Sequence, residues 1–370
     1  NHSSDISPVA GQIPRLVGLG QASKLYRNYQ FKNSNKFSNN GNEIAWGTIG
    51  NAATSEGLFF ESINACGVLQ IPVIISVWDD EYGISVHNKH QTTKESISEA
   101  LEGFRRDENK VGFEILTVNG WDYVELIKTY KYAEKIARED HVPVLVHVKE
   151  LTQPLGHSTS GSHQRYKSKN RLNWEAEFDC NLKMRDWVIK NGISSENDLI
   201  KIEENIKNEV KNAKNLAWKN YLDPIIELRN ELITNIEDII SKDINKVSQI
   251  QKLKIQLLSV KEPNLKSVFT TCRKILRHLR EDSEFVTNGF KNWFESKIKH
   301  YKKNFSSFLY SESKYSLRKV NSINPVYENN NLLDGRIVIR DNFDKLLEKY
   351  DNLIIFGQDV GLIGDVNQGL

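Results

Sequence analysis

The sequence is short of the residues that would fasten a small secreted protein or bind a structural metal. Only three cysteines occur, Cys66, Cys180 and Cys272, far apart and without metal-ligand spacing. That excludes a disulfide framework or a zinc cluster and fits a reducing cytoplasm. No uncharged apolar run reaches the roughly 18 residues of a membrane span, so no transmembrane helix is expected. No secretion-signal pattern opens the chain. Charge of one sign is also missing: 50 basic residues face 48 acidic ones, for a net charge of +2. A dedicated nucleic-acid binder would carry a concentrated basic face. A single methionine and eight prolines accompany abundant Asn, Lys and Ile, a bias that says nothing about function. The chain begins at Asn1 and ends on Val366–Leu370 just after a strand-like run, so a piece of a longer polypeptide is expected.

What is present fills 370 residues, room for two or three domains. Residues 1–150 alternate helical and strand patterns. Residues 7–27 read as a helix with Pro14 inside it, which calls for a kink or a late start. Residues 42–49 read as a strand. Residues 55–70 carry Leu58, Phe59, Ile63 and Cys66 at helical spacing. Residues 71–78 form a continuous, largely β-branched run of strand length. A helix over 94–106, a short strand within 111–120, a helix over 122–140 and a strand over 142–151 follow. Repeated β-α-β with apolar strands means a parallel sheet covered on both faces.

From about 176 to 325 strand signals give way to charged amphipathic helices, the first opened by Ser194 or Ser195 before Glu196, an N-cap pattern. Their alternating charges read as a solvated face rather than a binding surface. Residues 324–335 read as a linker, and 335–361 as a helix followed by a buried strand ending at Gly361.

Ligands of open α/β sheets sit outside the carboxyl ends of the strands. Two strand ends carry polar clusters, Gly50-Asn51-Ala52-Ala53 and Trp78-Asp79-Asp80-Glu81-Tyr82. One helix and one strand separate them, so the two corners become neighbours on one sheet edge. Mg²⁺ prefers about six oxygens, typically one or two carboxylates with phosphate oxygens and water. Asn51, Asp80 and the Tyr82 carbonyl would form such a half-shell, and small Ala52 and Ala53 would let a phosphate approach the backbone. The competing reading is an ordinary βα turn with Asn51 capping the helix.

At these residues the sequence resembles the thiamine-diphosphate-dependent E1 component of 2-oxo acid dehydrogenase complexes. The likeness is to the branched-chain type, in the form that fuses α-type and β-type subunits. That family's cofactor motif runs Gly-Asp-Gly, then one helix and one strand, then Asn; here it stands as residues 50–85. The match extends over 7–27 and over 156–168 (Gly156 to Ser168), and resumes at 356–369. It covers most of 1–220 and 334–370. The resemblance implies a parallel-sheet, thiamine-diphosphate-binding α/β fold. It divides the chain into an α-type diphosphate- and Mg-binding domain (1–175), a helical connector (176–325) and the start of a β-type pyrimidine-binding domain (326–370).

The resemblance further implies particular roles. Asn51 takes the place of the family's first Mg²⁺ ligand, usually Asp, and Asp80 that of the second, usually Asn. The pair is exchanged, one negative charge survives, and both side chains still offer an oxygen. Tyr82 gives its backbone oxygen. The Ala52 and Ala53 amides face the diphosphate, and Val9 contacts the aminopyrimidine ring through its backbone. Gly50 and Ile84 complete the cofactor-binding set. Trp78 stands where branched-chain relatives can carry a diphosphate-binding Arg. His157 matches the active-site loop histidine, which helps hold the cofactor and serves acyl transfer; imidazole suits proton traffic near neutral pH.

Ser158 matches a phosphorylation position of mitochondrial relatives, and Gly161-Ser162 replace the usual Asp-Asp. The ring-activating glutamate of the β-type half would lie beyond Leu370. Gln358 stands where relatives have Glu, while Asp359 is retained. His87, His90 and His147 read as structural or exposed, and Glu56 and Glu61 as capping or surface charges. The implied partners are a 2-oxo acid, the lipoyl domain of the E2 acyltransferase and a second copy of the chain through pairing of α-type and β-type domains; no nucleic acid and no membrane are expected. The alternatives are a relative that binds no cofactor, a pyruvate or 2-oxoglutarate enzyme, and a transketolase-like enzyme, against which the 156–163 loop argues.

Overall fold

The computed structural model describes residues 8–29, 31, 34–107, 111–157, 162–242, 244–282, 284–306, 311, 313–314, 316–326, 332–357 and 359–361. The main sheet has four parallel strands: β1 (Ala45–Gly50), β2 (Val73–Trp78), β5 (Glu114–Asn119) and β6 (Val144–Lys149), in the order β1-β2-β6-β5. A two-residue pair, β3 (Tyr82–Gly83) and β4 (Val86–His87), forms a small antiparallel hairpin beyond the end of β2. β2 and β6 are central and apolar on both faces. Val73, Ile75 and Val77 share one core with Phe59, Ile63 and Leu145, while Ile74, Val144 and Val146 share the other with Ala133 and Ile136. That period of two is the pleat itself. Each fully buried Val or Ile contributes about 1.5–3 kcal/mol over leaving it in water.

Helix α1 (Ile13–Asn28) and α2 (Gly57–Leu69) lie on the first face; α3 (Ile97–Ala100) is one turn, and α4 (Tyr123–Asp140) covers the second. Pro14 sits in the first turn of α1. There its missing N–H costs nothing, so of the two outcomes expected for it the late start is realised. α1 approaches β1 closely: a Cβ on Gly47 would stand 2.3 Å from Leu16 Cδ1. α4 opens with Asp122, whose carboxylate accepts from the Glu125 N–H at 3.1 Å.

Two expectations are corrected. The helix expected over 94–106 is reduced to α3 and flanking 3₁₀ turns. Lys94 and Glu95 have positive φ (62° and 57°), and Ser96 begins a new helix as its N-cap, its hydroxyl accepting from the Glu99 N–H. The buried strand expected near the chain's end is absent over 351–357, where Ile354 and Phe356 are exposed. A strand is buried only when a neighbouring edge satisfies its backbone groups, and no described strand pairs there.

By contacts the chain separates into two units, Ser194–Ile323 and His2–Ile193 with Asn324–Leu370. The second contains the sheet, α5 (Lys169–Glu177), α6 (Cys180–Lys190) and α11 (Gly335–Lys349). The first is helical: α7 (Glu196–Ile240), α8 (Val247–Leu258), α9 (Leu265–His278) and α10 (Glu284–Ser306). It has a core of its own, built from Leu228, Leu232, Ile236, Ile250, Val268 and Ile275. α7 contains Pro224 in its interior. Cys66, Cys180 and Cys272 are all unpaired. Burial pushes the Cys66 and Cys272 thiols up to about 12, which leaves them chemically inert. No helix among the described residues is long and apolar enough to cross a membrane.

Candidate functional site

The carboxyl ends of β1, β2 and β6 open onto a cleft of about 750 Å³. Its floor is the two polar corners. The β1 corner runs Gly50-Asn51-Ala52-Ala53, with a 3₁₀ turn over Ala52–Ser55 before α2 begins at Gly57. The β2 corner runs from Trp78 through the β3–β4 hairpin. The Asn51 N–H donates to the Trp78 carbonyl at 3.0 Å, so the parallel ladder continues into the turn. A Cβ on Gly83 would stand 2.7 Å from the Cβ of Ala52. The corners therefore touch, and the contact demands glycine on one side and a small side chain on the other. Ala52 is not among the residues of positive φ, so alanine fits where the related motif has glycine.

The cleft brings together all nine residues singled out from the sequence: Val9, Gly50, Asn51, Ala52, Ala53, Asp80, Tyr82, Ile84 and His157. Trp78 lines it too, half of its surface open to water, with Leu151, Thr152 and Gln153 from the loop after β6. Val9, Ile84 and His157 are exposed at its rim. Ile84 has φ of 58°, a conformation that a β-branched residue adopts only under constraint. Ser158, Thr159, Ser160, Gly161 and Gln358 lie outside the described residues.

Asn51 is buried and makes no capping hydrogen bond, and its amide Nδ2 has no partner. The capping reading of Asn51 is thereby removed. A buried amide donor left unpaired costs about 1–3 kcal/mol, which an acceptor bound in the cleft would recover. Asp80 accepts the Tyr82 N–H at 3.1 Å through Oδ1. Burial raises its carboxyl above the usual carboxylate range; the Tyr82 amide and Lys167 oppose that shift, and Asp79 adds to it. A half-buried carboxylate so placed gains most from a cation. Among the described residues no group of three or more His, Cys, Asp or Glu is arranged to hold a metal. Any metal here would rely on one carboxylate, an amide and a carbonyl, the set a hard ion such as Mg²⁺ accepts.

Two supports of this corner were not singled out from the sequence. Asp79 is buried, and both of its oxygens are engaged. Oδ2 meets His147 Nε2 at 2.9 Å, and Oδ1 accepts the Glu81 N–H at 2.7 Å. His147 Nδ1 in turn meets the Ser98 hydroxyl at 2.8 Å. The Ser98–His147–Asp79 chain has the composition of a hydrolase triad. Ser98 is buried, however, so the chain is a brace for the turn that carries Asp80. His147 is thus structural, as expected; His90 is exposed and His87 half-buried. Glu56 and Glu61 are exposed, and Glu56, at the N-cap of α2, makes no side-chain cap.

The other support comes from the segment after the His157 loop. Lys167, Arg171 and Glu175 stand four residues apart and share one side of α5 and the turn before it. Lys167 Nζ meets Glu175 Oε1 at 2.7 Å, with the lysine side chain fully buried and its charge 4.9 Å from the centre of the Tyr82 ring. Arg171 pairs with the same carboxylate at 2.9 Å and with Glu81, and donates to the Asp80 carbonyl at 3.0 Å. His163 Nδ1 lies 4.0 Å from Glu175. The i, i+4, i+8 spacing was the signal available in the sequence. It could not name partners some 90 residues away.

The Dehydrogenase E1 component family matches residues 4–224, well over half of the chain and every residue of the cleft. The chain belongs to the dehydrogenase E1 component family. Membership implies thiamine diphosphate as cofactor, and the unpaired Asn51 amide, the cation-seeking Asp80 and the tight Ala52–Gly83 contact fit that group. Among E1 relatives, the chain is 26% identical over 265 residues to 2-oxoisovalerate dehydrogenase subunit alpha 1, mitochondrial, of Arabidopsis thaliana, covering 71% of this chain and 50% of the relative. It is 27% identical over 205 residues to the pyruvate dehydrogenase E1 component subunit alpha of Rickettsia bellii, covering 55% and 56%. It is 25% identical over 224 residues to the 2-oxoisovalerate dehydrogenase subunit alpha of Bacillus subtilis, covering 59% and 62%. The chain thus spans about half the length of the curated relatives it matches, and branched-chain and pyruvate E1 subunits are equally similar to it.

Proposed function

We propose that this chain provides the α-type, diphosphate- and metal-holding part of an E1 enzyme that decarboxylates a 2-oxo acid and passes the acyl group to the lipoyl domain of an E2 acyltransferase. The observation that carries the reading is the meeting of Asn51 and Asp80 in one cleft, the first with an orphaned amide and the second with a carboxyl raised by burial. Asn51, Asp80 and the Tyr82 carbonyl would hold Mg²⁺. With its oxygen turned to the metal, the Asn51 amide leaves its NH₂ to donate to a diphosphate oxygen. The first amides of the turn at Ala52 and Ala53 have no helical acceptor and would donate there as well. Gly50 and Ile84 shape the two sides of the seat, and the Val9 backbone at the rim would meet the pyrimidine.

When bound, thiamine diphosphate supplies the nucleophile and the electron sink for decarboxylation. His157 would hold or deliver the proton needed at the acyl-transfer step. The ring-activating glutamate belongs to the β-type half, whose start we assign to 326–370; 1–175 is the cofactor-holding domain and 176–325 the connector. A complete site then needs pairing of α-type and β-type domains from two chains. The substrate we favour is a branched-chain 2-oxo acid, because the likeness at the motifs is to that type; pyruvate and 2-oxoglutarate are the competitors. The unpaired cysteines support action in a reducing compartment, the cytoplasm.

Calorimetric titration with thiamine diphosphate and Mg²⁺ tests the reading. Saturable, Mg²⁺-dependent binding is expected for the wild type. Asp80→Ala should abolish it, and Asn51→Asp should preserve or strengthen it. Normal binding by Asp80→Ala would remove the metal assignment. No binding by the wild type would favour a relative that has lost its cofactor, with Trp78 filling the seat.

A further inference from the structure

α7 carries an apolar stripe along its length, with the exposed Leu216 and Trp218 lying to its sides. Ile225, Leu228, Leu232, Ile236 and Ile239, in its second half, are buried in the core of the helical unit. The same stripe runs back through Tyr221, Ala217, Ala213, Val210, Ile206 and Ile202 at spacings of three and four, repeating every eleven residues. Here every residue from Lys201 to Tyr221 is exposed, Ile202 by 55%, Ile206 by 51% and Val210 by 62%. A stripe built to core standards is thus left open over half of a helix. The segment Glu196–Tyr221 would be about 39 Å long at 1.5 Å per residue.

Its charges are divided along its length. Residues 196–206 hold four carboxylates and one lysine; residues 207–221 hold four lysines and one carboxylate. The helix dipole accounts for acids in the first turn, but its influence fades within a turn of either end. Lys207, Lys211, Lys214 and Lys219 lie mid-helix, because α7 continues to Ile240. The division is therefore a property of the exposed face.

We propose that this face pairs with the same face of a second copy of the chain, antiparallel about a two-fold axis near residues 208–209. Only that arrangement covers the stripe and sets each acidic half against a basic half. A parallel pair would stack like on like. Two-fold pairing is also the commonest way for a surface to complement itself. The contact is distinct from the pairing of α-type and β-type domains, and needs no cofactor.

Analytical ultracentrifugation of the 370-residue chain without cofactor should give twice the chain mass at low ionic strength. Association should weaken as salt is added. Val210→Asp, at an exposed position, should weaken association at least tenfold with unchanged helical circular dichroism. A variant with the charges of both halves reversed (Glu203→Lys, Glu204→Lys, Lys207→Glu, Lys211→Glu, Lys214→Glu) should pair with itself and refuse to mix with the wild type. A monomeric wild type, a dimer untouched by Val210→Asp, or a mixed dimer of reversed and wild-type chains would each overturn the proposal.

Discussion

At the scale of single residues, the exchange of amide and carboxylate between the two corners sets the electrostatics of the cleft. A neutral Asn51 at the first corner leaves Asp80 as the carboxylate beside the proposed diphosphate seat, and burial disfavours its charge. The sign follows directly. A carboxyl whose pKa is raised on folding binds its proton more tightly in the folded state, so stability falls as pH rises through that raised value. Asp80→Asn should therefore raise the melting temperature of the cofactor-free chain above that pH and leave it little changed below. On the proposed assignment of Mg²⁺ to Asp80, metal competes with the proton for this carboxylate, so metal affinity should fall as pH is lowered, read by titration at several pH values. Lys167 presents the opposite case, a buried cation already paired. Lys167→Met strands part of the Glu175 charge and should cost about 3 kcal/mol in urea unfolding, the lower end for breaking a buried pair because Arg171 remains.

At the scale of elements, the strands and their polar ends were legible because an apolar run that stops at Gly-Asn or Asp-Asp leaves little choice of reading. The N-cap of α7 was legible too. Ser195 accepts from the Asp198 N–H at 3.2 Å, and Ser195→Ala should lower the stability of the helical unit by about 1 kcal/mol, measured as a shift in its denaturant midpoint. The 94–106 segment was not legible as broken, since its apolar spacing is helical and the positive φ of Lys94 and Glu95 leaves no mark in residue type. The run 352–357 misled for the converse reason: apolar composition marks a strand only where a partner edge exists. The Lys167–Arg171–Glu175 support depends on Glu81 and Asp80, contacts that no local pattern encodes.

At the scale of the whole molecule, the cores on the two faces of the sheet share no residue with the core of the helical unit, and the chain divides accordingly. Leu232 is fully buried in the helical one. Leu232→Ala should cost about 2–5 kcal/mol there, while Mg²⁺ and thiamine diphosphate at 100 times their dissociation constant should add about 2.7 kcal/mol to the α/β unit alone. Differential scanning calorimetry should resolve the two effects as shifts of different transitions. The same split explains what the sequence told of function: every cleft residue lies in the α/β unit, where resemblance was dense.

Pro224 marks the last residue of the E1 match and lies inside α7, between the open and the buried stretches of one stripe. Beyond it the helix runs on without a loop. A loop absorbs an inserted or deleted residue by changing its path, but a helix converts each one into a rotation of about 100°. A single residue inserted or deleted in α7 ahead of Ile225 would therefore turn Ile225, Leu228 and Leu232 against the stripe before them, so the open and buried stretches are locked in rotational phase.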